Sequence, residues 1–301
     1  MVTEIINLPV NYRGKLDNHE YTPTLTTYIL DNYPTLDLTR KRPLVIVCPG
    51  GGYTHLSVRE AEPIAIRMNS LGFHAAVLAY SLAPMDFPAA FCDAAEAVHY
   101  VRSHAQEWNV DPDKIIVCGF SAGAHVAAGL GCYWNGRAAD DTPGGKRAPD
   151  ASFDTHAPLL PQFIPYSAEE IKPNALVLGY PVITAGEFCH DGSIKSVLGE
   201  KNKAHRSWVS LETKVSSDVP PVFMWHTDAD ETVVPENSLL FACSLKRANI
   251  PFEYHLFARG VHGLALATAE TCVPKGRTIE HECAVWPELL YNWLSGMWKI
   301  L

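Results

Sequence analysis

Apolar runs and helically spaced apolar positions alternate along most of this chain. Pro43–Cys48, His74–Ser81, Lys114–Cys118, Asn174–Tyr180 and Val222–His226 are short and almost continuously apolar, and Phe252–Phe257 reads as the last strand. Such runs predict strands covered on both faces, as in a parallel sheet. Between them lie stretches with helical spacing. Ala89 to about Trp108 sets Ala90, Ala94, Ala97, Val98 and Val101 on one side, and Glu236–Ala248 follows the fifth run. Ser57-x-x-Glu60 fits a capping box for a helix reaching about Leu71, with Gly72 as its stop. Glu282–Met297 carries Trp286, Leu289, Leu290, Trp293 and Leu294 at core spacing. Near the start, Glu4–Leu8 and Thr24–Leu30 are strand-like, and the second alternates as a half-exposed antiparallel strand does. The expected fold is α/β: a mostly parallel sheet with an antiparallel N-terminal edge and helices on both faces.

The pattern fails twice, over 134–173, which is rich in Gly, Pro and Asp, and over 181–219, a second long excursion containing Phe188, Cys189, His190 and Trp208. Structureless stretches of that length are uncommon in a compact domain unless they form lids or binding loops. No linker and no internal repeat divides the chain. The expectation is one domain over 1–301, with the two insertions capping a site. Of the 301 residues, 47% are hydrophobic and 19% charged, enough apolar material for a large core. A net charge of −9 without any Lys/Arg cluster argues against nucleic acid or an anionic membrane as partner. Homo-oligomerisation is left open. The eight cysteines form no CxxC pair, Met1–Asn11 lacks the basic and apolar parts of a signal peptide, and no apolar run is long enough to span a membrane. A reducing, cytoplasmic location is therefore expected.

The chemistry centres on Gly119–Phe120–Ser121–Ala122–Gly123, set between a predicted strand and an Ala-rich helix. In that context Gly-x-Ser-x-Gly predicts a nucleophile elbow: a strained turn that lifts the serine hydroxyl above the sheet. Small flanking residues let strand and helix meet closely. The helix start aims N–H groups at the place where an oxyanion would form. A serine needs a base. Among thirteen histidines, His262 is favoured, since it follows the last strand within Gly260–Val261–His262–Gly263. His55, His74, His99 and His226 lie in or beside predicted elements and read as packing or polar satisfaction, and His125 lies just inside the elbow helix. The orienting acid is sought after the fifth run, where Asp228 and Asp230 both fit and Asp230 is favoured. Gly50–Gly51–Gly52 follows a buried strand and can expose backbone N–H groups. Tyr53 and His190 are candidate substrate contacts.

Together, Cys48–Tyr53, Arg59–Pro63, Gly119–His125, Asp230–Val233 and Gly260–Gly263 resemble the α/β-hydrolase esterases, more closely the bacterial acetyl esterase or acetylxylan-esterase-like group. The resemblance covers about residues 40–301. The order Ser…Asp…His is that fold's triad order. It implies hydrolysis of short-chain carboxylic esters, sometimes acetyl groups on sugars, by Ser121, Asp230 and His262. It also implies Gly51 and Gly52, with the backbone of Ala122, as oxyanion donors. Pro49 stands where hormone-sensitive-lipase-like relatives have His. The expected partner is a small ester, and the mechanism calls for no metal or organic cofactor. A peptidase or amidase of the same fold, a long-chain lipase and a non-catalytic receptor are the rival readings.

Overall fold

The computed structural model describes residues 1–10, 12, 21–136, 154, 157–273 and 276–299. Eight strands form one sheet: β1 (Ile5–Asn7), β2 (Thr24–Tyr28), β3 (Arg42–Cys48), β4 (His74–Ala79), β5 (Val110–Phe120), β6 (Ala175–Gly179), β7 (Val222–Thr227) and β8 (Phe252–Phe257). Their spatial order is β1-β2-β4-β3-β5-β6-β7-β8. β1 and β2 are antiparallel to their neighbours, and every pairing from β4 to β8 is parallel. This is the α/β architecture with the antiparallel N-terminal edge expected from the alternation in Thr24–Leu30.

Among the described residues seven α-helices accompany the sheet: α1 (Glu62–Ser70), α2 (Ala89–Ser103), α3 (Ala122–Tyr133), α4 (Ala168–Ile171), α5 (Asp191–Asn202), α6 (Glu236–Arg247) and, after the last strand, α7 (Trp286–Trp298). In β3, Leu44, Ile46 and Cys48 face α2 and α3, whereas Val45 and Val47 face α1. That period-2 division explains why the run is apolar throughout: both faces are core. Trp286, Leu290 and Leu294 of α7 are fully buried on the α1 face, four residues apart as one helical stripe requires.

Several boundaries differ from those expected. α2 stops at Ser103, and the ring of His104 stacks between Tyr100 and Trp108 in the turns that follow. α7 begins at Trp286, with Pro287 in its first turn, where a missing N–H costs nothing. The capping box at Ser57 does not form. A short 3-10 turn spans Val58–Glu60, α1 follows with Ala61 at its N-cap, and no side chain caps it. The Glu60 carboxylate is drawn inward instead by tertiary partners. The insertion over 181–219 contains α5 and two 3-10 turns, Arg206–Trp208 and Leu211–Thr213. Of the insertion over 134–173, residues 157–173 lie against α2, where Tyr166 stacks on His99 and donates to Glu96 at 3.1 Å. Residues 137–153 and 155–156 lie outside the described residues. None of the eight cysteines is in a disulfide. Among the described residues no helix is long and apolar enough to cross a membrane.

Candidate active site

β5, β7 and β8 all run toward the same sheet edge, and at their carboxyl ends the chain delivers Ser121, Asp230 and His262. Open parallel sheets collect ligands along that edge. Ser121 has φ 53° and ψ −119°. The conformation is strained for a residue with a Cβ. It is over-determined by its surroundings: the Ser121 N–H donates to the Gly179 carbonyl at 3.0 Å, and the Ser121 carbonyl accepts from Val182 N at 3.1 Å and His125 N at 3.2 Å. Gly123 explains the second glycine of the motif. A Cβ there would stand 2.0 Å from the Cys48 carbonyl oxygen, so only glycine lets α3 sit this close to β3.

His262 Nε2 lies 2.8 Å from Ser121 Oγ, and His262 Nδ1 lies 2.6 Å from Asp230 Oδ2. The edge of the His262 ring lies against Tyr180, with centroids 5.0 Å apart, and the Arg277 Nε donates to the His262 carbonyl at 3.0 Å. Asp230 is 2% exposed. Its Oδ1 accepts from the backbone N–H groups of Thr232 and Val233 at 2.9 and 3.0 Å. Burial alone would raise this carboxyl. Hydrogen bonding to His226 and His262, the His262 charge and the Val233 N–H outweigh burial and hold it well below the usual carboxylate range. It is therefore an anion wherever the protein is folded at ordinary pH. Asp228, the alternative acid, points into solvent instead.

His226 is a partner of Asp230 that sequence reasoning missed. Its fully buried ring places Nε2 at 2.8 Å from the Val233 carbonyl and 3.3 Å from Asp230 Oδ2, while Nδ1 lies 2.7 Å from Ser238 Oγ. An Nε2–H tautomer satisfies all three contacts. The spacing His226-x-x-x-Asp230 is the only sequence trace of it.

The glycine run curls back over the site. Thr54 N and His55 N both donate to the Gly51 carbonyl, and Gly51 takes φ 128°, which glycine alone adopts without strain. Gly51 and Gly52 line the cleft, and Ala122 is the first residue of α3 directly after Ser121. Glu60 ties the run down. Its carboxylate is 2% exposed; Oε2 accepts from Gly50 N at 2.9 Å and Oε1 from the Tyr180 hydroxyl at 2.7 Å. That hydroxyl in turn accepts from Ala265 N at 2.9 Å. One carboxylate and one phenol thus join the glycine run to the loop carrying His262. The local pattern Ser57-x-x-Glu60 points to a helix cap instead, because the partners of Glu60 are remote in sequence.

The cleft above Ser121 holds about 360 Å³, within the range of small-ligand sites. His55, Arg59, His190, Ser196 and Arg277 supply polar walls. His190 caps α5, with Nδ1 accepting from Ser193 N at 3.3 Å, so α5 brings the second insertion to the cleft. Burial, together with the neighbouring His262 charge, lowers its basicity. Tyr53 is placed differently from the expectation. It is 2% exposed in the core, its hydroxyl 2.7 Å from His125 Nδ1, and it does not line the cleft. An apolar ring beside a buried histidine satisfied that position better than solvent did. His125 Nε2 donates onward to the Val209 carbonyl at 2.8 Å, which makes this histidine a tie between α3 and the second insertion.

Residues 30–245 match the model of the BD-FAE family. The chain belongs to the BD-FAE family. Among solved structures, the acetyl ester-xyloside bifunctional hydrolase of Caldicellulosiruptor lactoaceticus is 35% identical, with TM-score 0.76 over 98% of this chain and 96% of that one. The carboxylesterase Cest-2923 of Lactobacillus plantarum is 29% identical, with TM-score 0.78 over 99% and 98%. The fold is that of the α/β-hydrolases. In sequence, it is 34% identical to endo-1,4-beta-xylanase B of Butyrivibrio fibrisolvens over 76% of this chain and 34% of that protein. It is 28% identical to esterase LipQ of Mycobacterium tuberculosis over 84% and 61%, and 24% identical to an acetylxylan esterase of Xylanibacter ruminicola over 74% and 41%. The chain thus spans between about a third and three-fifths of these three curated relatives.

Proposed function

We propose that this protein hydrolyses short-chain carboxylic esters through an acyl-enzyme on Ser121, and that its substrates are acetylated saccharides. The observation that carries the reaction is the continuous relay Ser121 Oγ, His262 Nε2, His262 Nδ1, Asp230 Oδ2, at 2.8 and 2.6 Å, opening into a cleft. Ser121 Oγ attacks the ester carbonyl carbon while His262 Nε2 takes its proton. The carbonyl oxygen becomes an oxyanion, held by N–H groups of Gly51, Gly52 and Ala122. The C–O bond to the alcohol then breaks, and His262 returns the proton to the departing oxygen. Water, deprotonated by His262, attacks the acyl carbon, and the free acid leaves with Ser121 restored. Asp230 fixes the imidazole tautomer and stabilises its charged form without itself taking the proton.

The saccharide part of the proposal rests on the polar cleft walls and on kinship with proteins named for acetylxylan and acetyl ester-xyloside hydrolysis. A long acyl chain would find few apolar partners there. The test is kcat/KM on 4-nitrophenyl esters from acetate to laurate, on acetylated xylo-oligosaccharides and on aminoacyl 4-nitroanilides. Acetate and butyrate are expected to lead, xylo-oligosaccharides to release acetate, and Ser121→Ala to lose at least about a thousandfold in kcat. Preference for the anilides or for laurate, or full activity in Ser121→Ala, would overturn the reading.

A further inference from the structure

We propose that Arg59 and Arg277 form a carboxylate-binding subsite on the alcohol side of the ester, so that the preferred substrates are acetyl esters of acidic saccharides. The proposal rests on the ester-hydrolysis reading above. The two arginines come from distant parts of the chain: Arg59 from the 3-10 turn after the glycine run, Arg277 from the segment between His262 and α7. They converge on consecutive carbonyls of one loop. Arg59 Nη1 donates to Gly263 O at 2.6 Å and Arg277 Nε to His262 O at 3.0 Å. The Arg277 guanidinium lies directly on Gly263, where a Cβ would stand 3.0 Å from Nε and 3.3 Å from Nη2. The Arg277 backbone is itself held by a bridge to Val273, whose N–H donates to the Arg277 carbonyl at 3.0 Å.

Each guanidinium spends one N–H on the loop, and both line the cleft. Among the described residues, neither meets a carboxylate within 4.0 Å. The nearby carboxylates, Glu60 and Asp230, are 2% exposed and occupied by their own hydrogen bonds. Two half-buried cations therefore face the cleft of a protein whose net charge is −9. Held on consecutive carbonyls, the two guanidinium groups present planar donor forks matched to a carboxylate.

The reaction fixes which part of the substrate they meet. His262 returns its proton to the leaving alcohol oxygen, so the alcohol lies beside His262, and the arginines sit on the backbone of His262 and Gly263. A carboxylate on the alcohol portion, as on a uronic acid residue, falls within their reach. The acyl oxygen goes to the glycine run instead.

The test compares 3-acetoxybenzoate with its neutral counterpart, methyl 3-acetoxybenzoate. The wild type, R59Q, R277Q and the double variant are assayed at low and high ionic strength. Intrinsic reactivity cancels when the charged-to-neutral ratio of kcat/KM is compared between proteins. The expected result is a ratio that falls about tenfold in R277Q and further in the double variant, with salt eroding it in the wild type. A second measurement needs no variant: 3-hydroxybenzoate should inhibit the wild type more strongly than its methyl ester, and less so as salt rises. Hydrolysis of the neutral ester with an unchanged ratio in the double variant, or equal inhibition by anion and methyl ester, overturns the subsite alone. Hydrolysis of neither ester by the wild type overturns the ester-hydrolysis reading and the subsite with it.

Discussion

At the scale of single residues, the site depends on groups whose partners are far away in the chain. Glu60 shows this most clearly. A carboxylate offers enough lone pairs to accept from Gly50 N and the Tyr180 hydroxyl at once, and here it does both while buried. Glu60→Ala removes both acceptors, so both contacts are lost. The glycine run then loosens where an oxyanion must be held. Because such donors act chiefly in the transition state, kcat on 4-nitrophenyl acetate should fall about tenfold or more while KM changes little. A rise in KM at unchanged kcat would assign Glu60 to ground-state binding. Local sequence could not reveal this role: Ser57-x-x-Glu60 satisfies a capping pattern, and Tyr180 lies 120 positions away. Ser121 and His262 were legible because strand, glycine and turn chemistry mark their positions locally. Asp230 was favoured over Asp228 in the sequence although both follow the same strand, and in the structure only Asp230 turns inward. Arg277 left no signal at all, as no spacing rule ties an arginine to a histidine fifteen residues earlier.

At the scale of elements, the strand and helix alternation was legible because strands such as β3, β6 and β7 are apolar on both faces and a helix such as α7 shows a stripe. α5 was not. Gly192 lies in its first turn, and Gly199 interrupts it with φ 66°, so its sequence reads as an irregular excursion. The junction between β4, α2 and the N-terminal segment carries a further prediction. Asp93 of α2 is fully buried, with Oδ2 accepting from Ser81 N and Oδ1 from the Tyr12 hydroxyl, both at 2.7 Å. Burial pushes its carboxyl up to about 6 even against these bonds. The folded protein therefore binds a proton that the unfolded chain releases near pH 4. The stabilisation this gives is complete below about pH 4 and is lost as pH rises through 6, a change on the order of 3 kcal/mol. Asp93→Asn removes that titration. Thermal melts from pH 4 to 7 should show the wild type losing Tm relative to the variant as pH rises. Parallel curves would mean that Asp93 does not titrate in this window.

At the scale of the whole molecule, one sheet edge gathers what the chain keeps apart. Ser121 and His262 lie 141 positions from each other, and only β5, β7 and β8 running parallel bring them to 2.8 Å. The same edge sets Arg59 and Arg277 in the cleft of an acidic protein, and the second insertion brings His190 to that cleft. Everything proposed here depends on Ser121 being a nucleophile activated by His262. The most direct measurement is covalent capture by a fluorophosphonate, located by mass spectrometry of the digested protein. One adduct per chain is predicted, on the peptide containing Ser121, absent in Ser121→Ala and formed at least about a hundredfold more slowly in His262→Ala. An adduct on another residue, or ester hydrolysis by a protein that takes up no label at Ser121, would contradict the account.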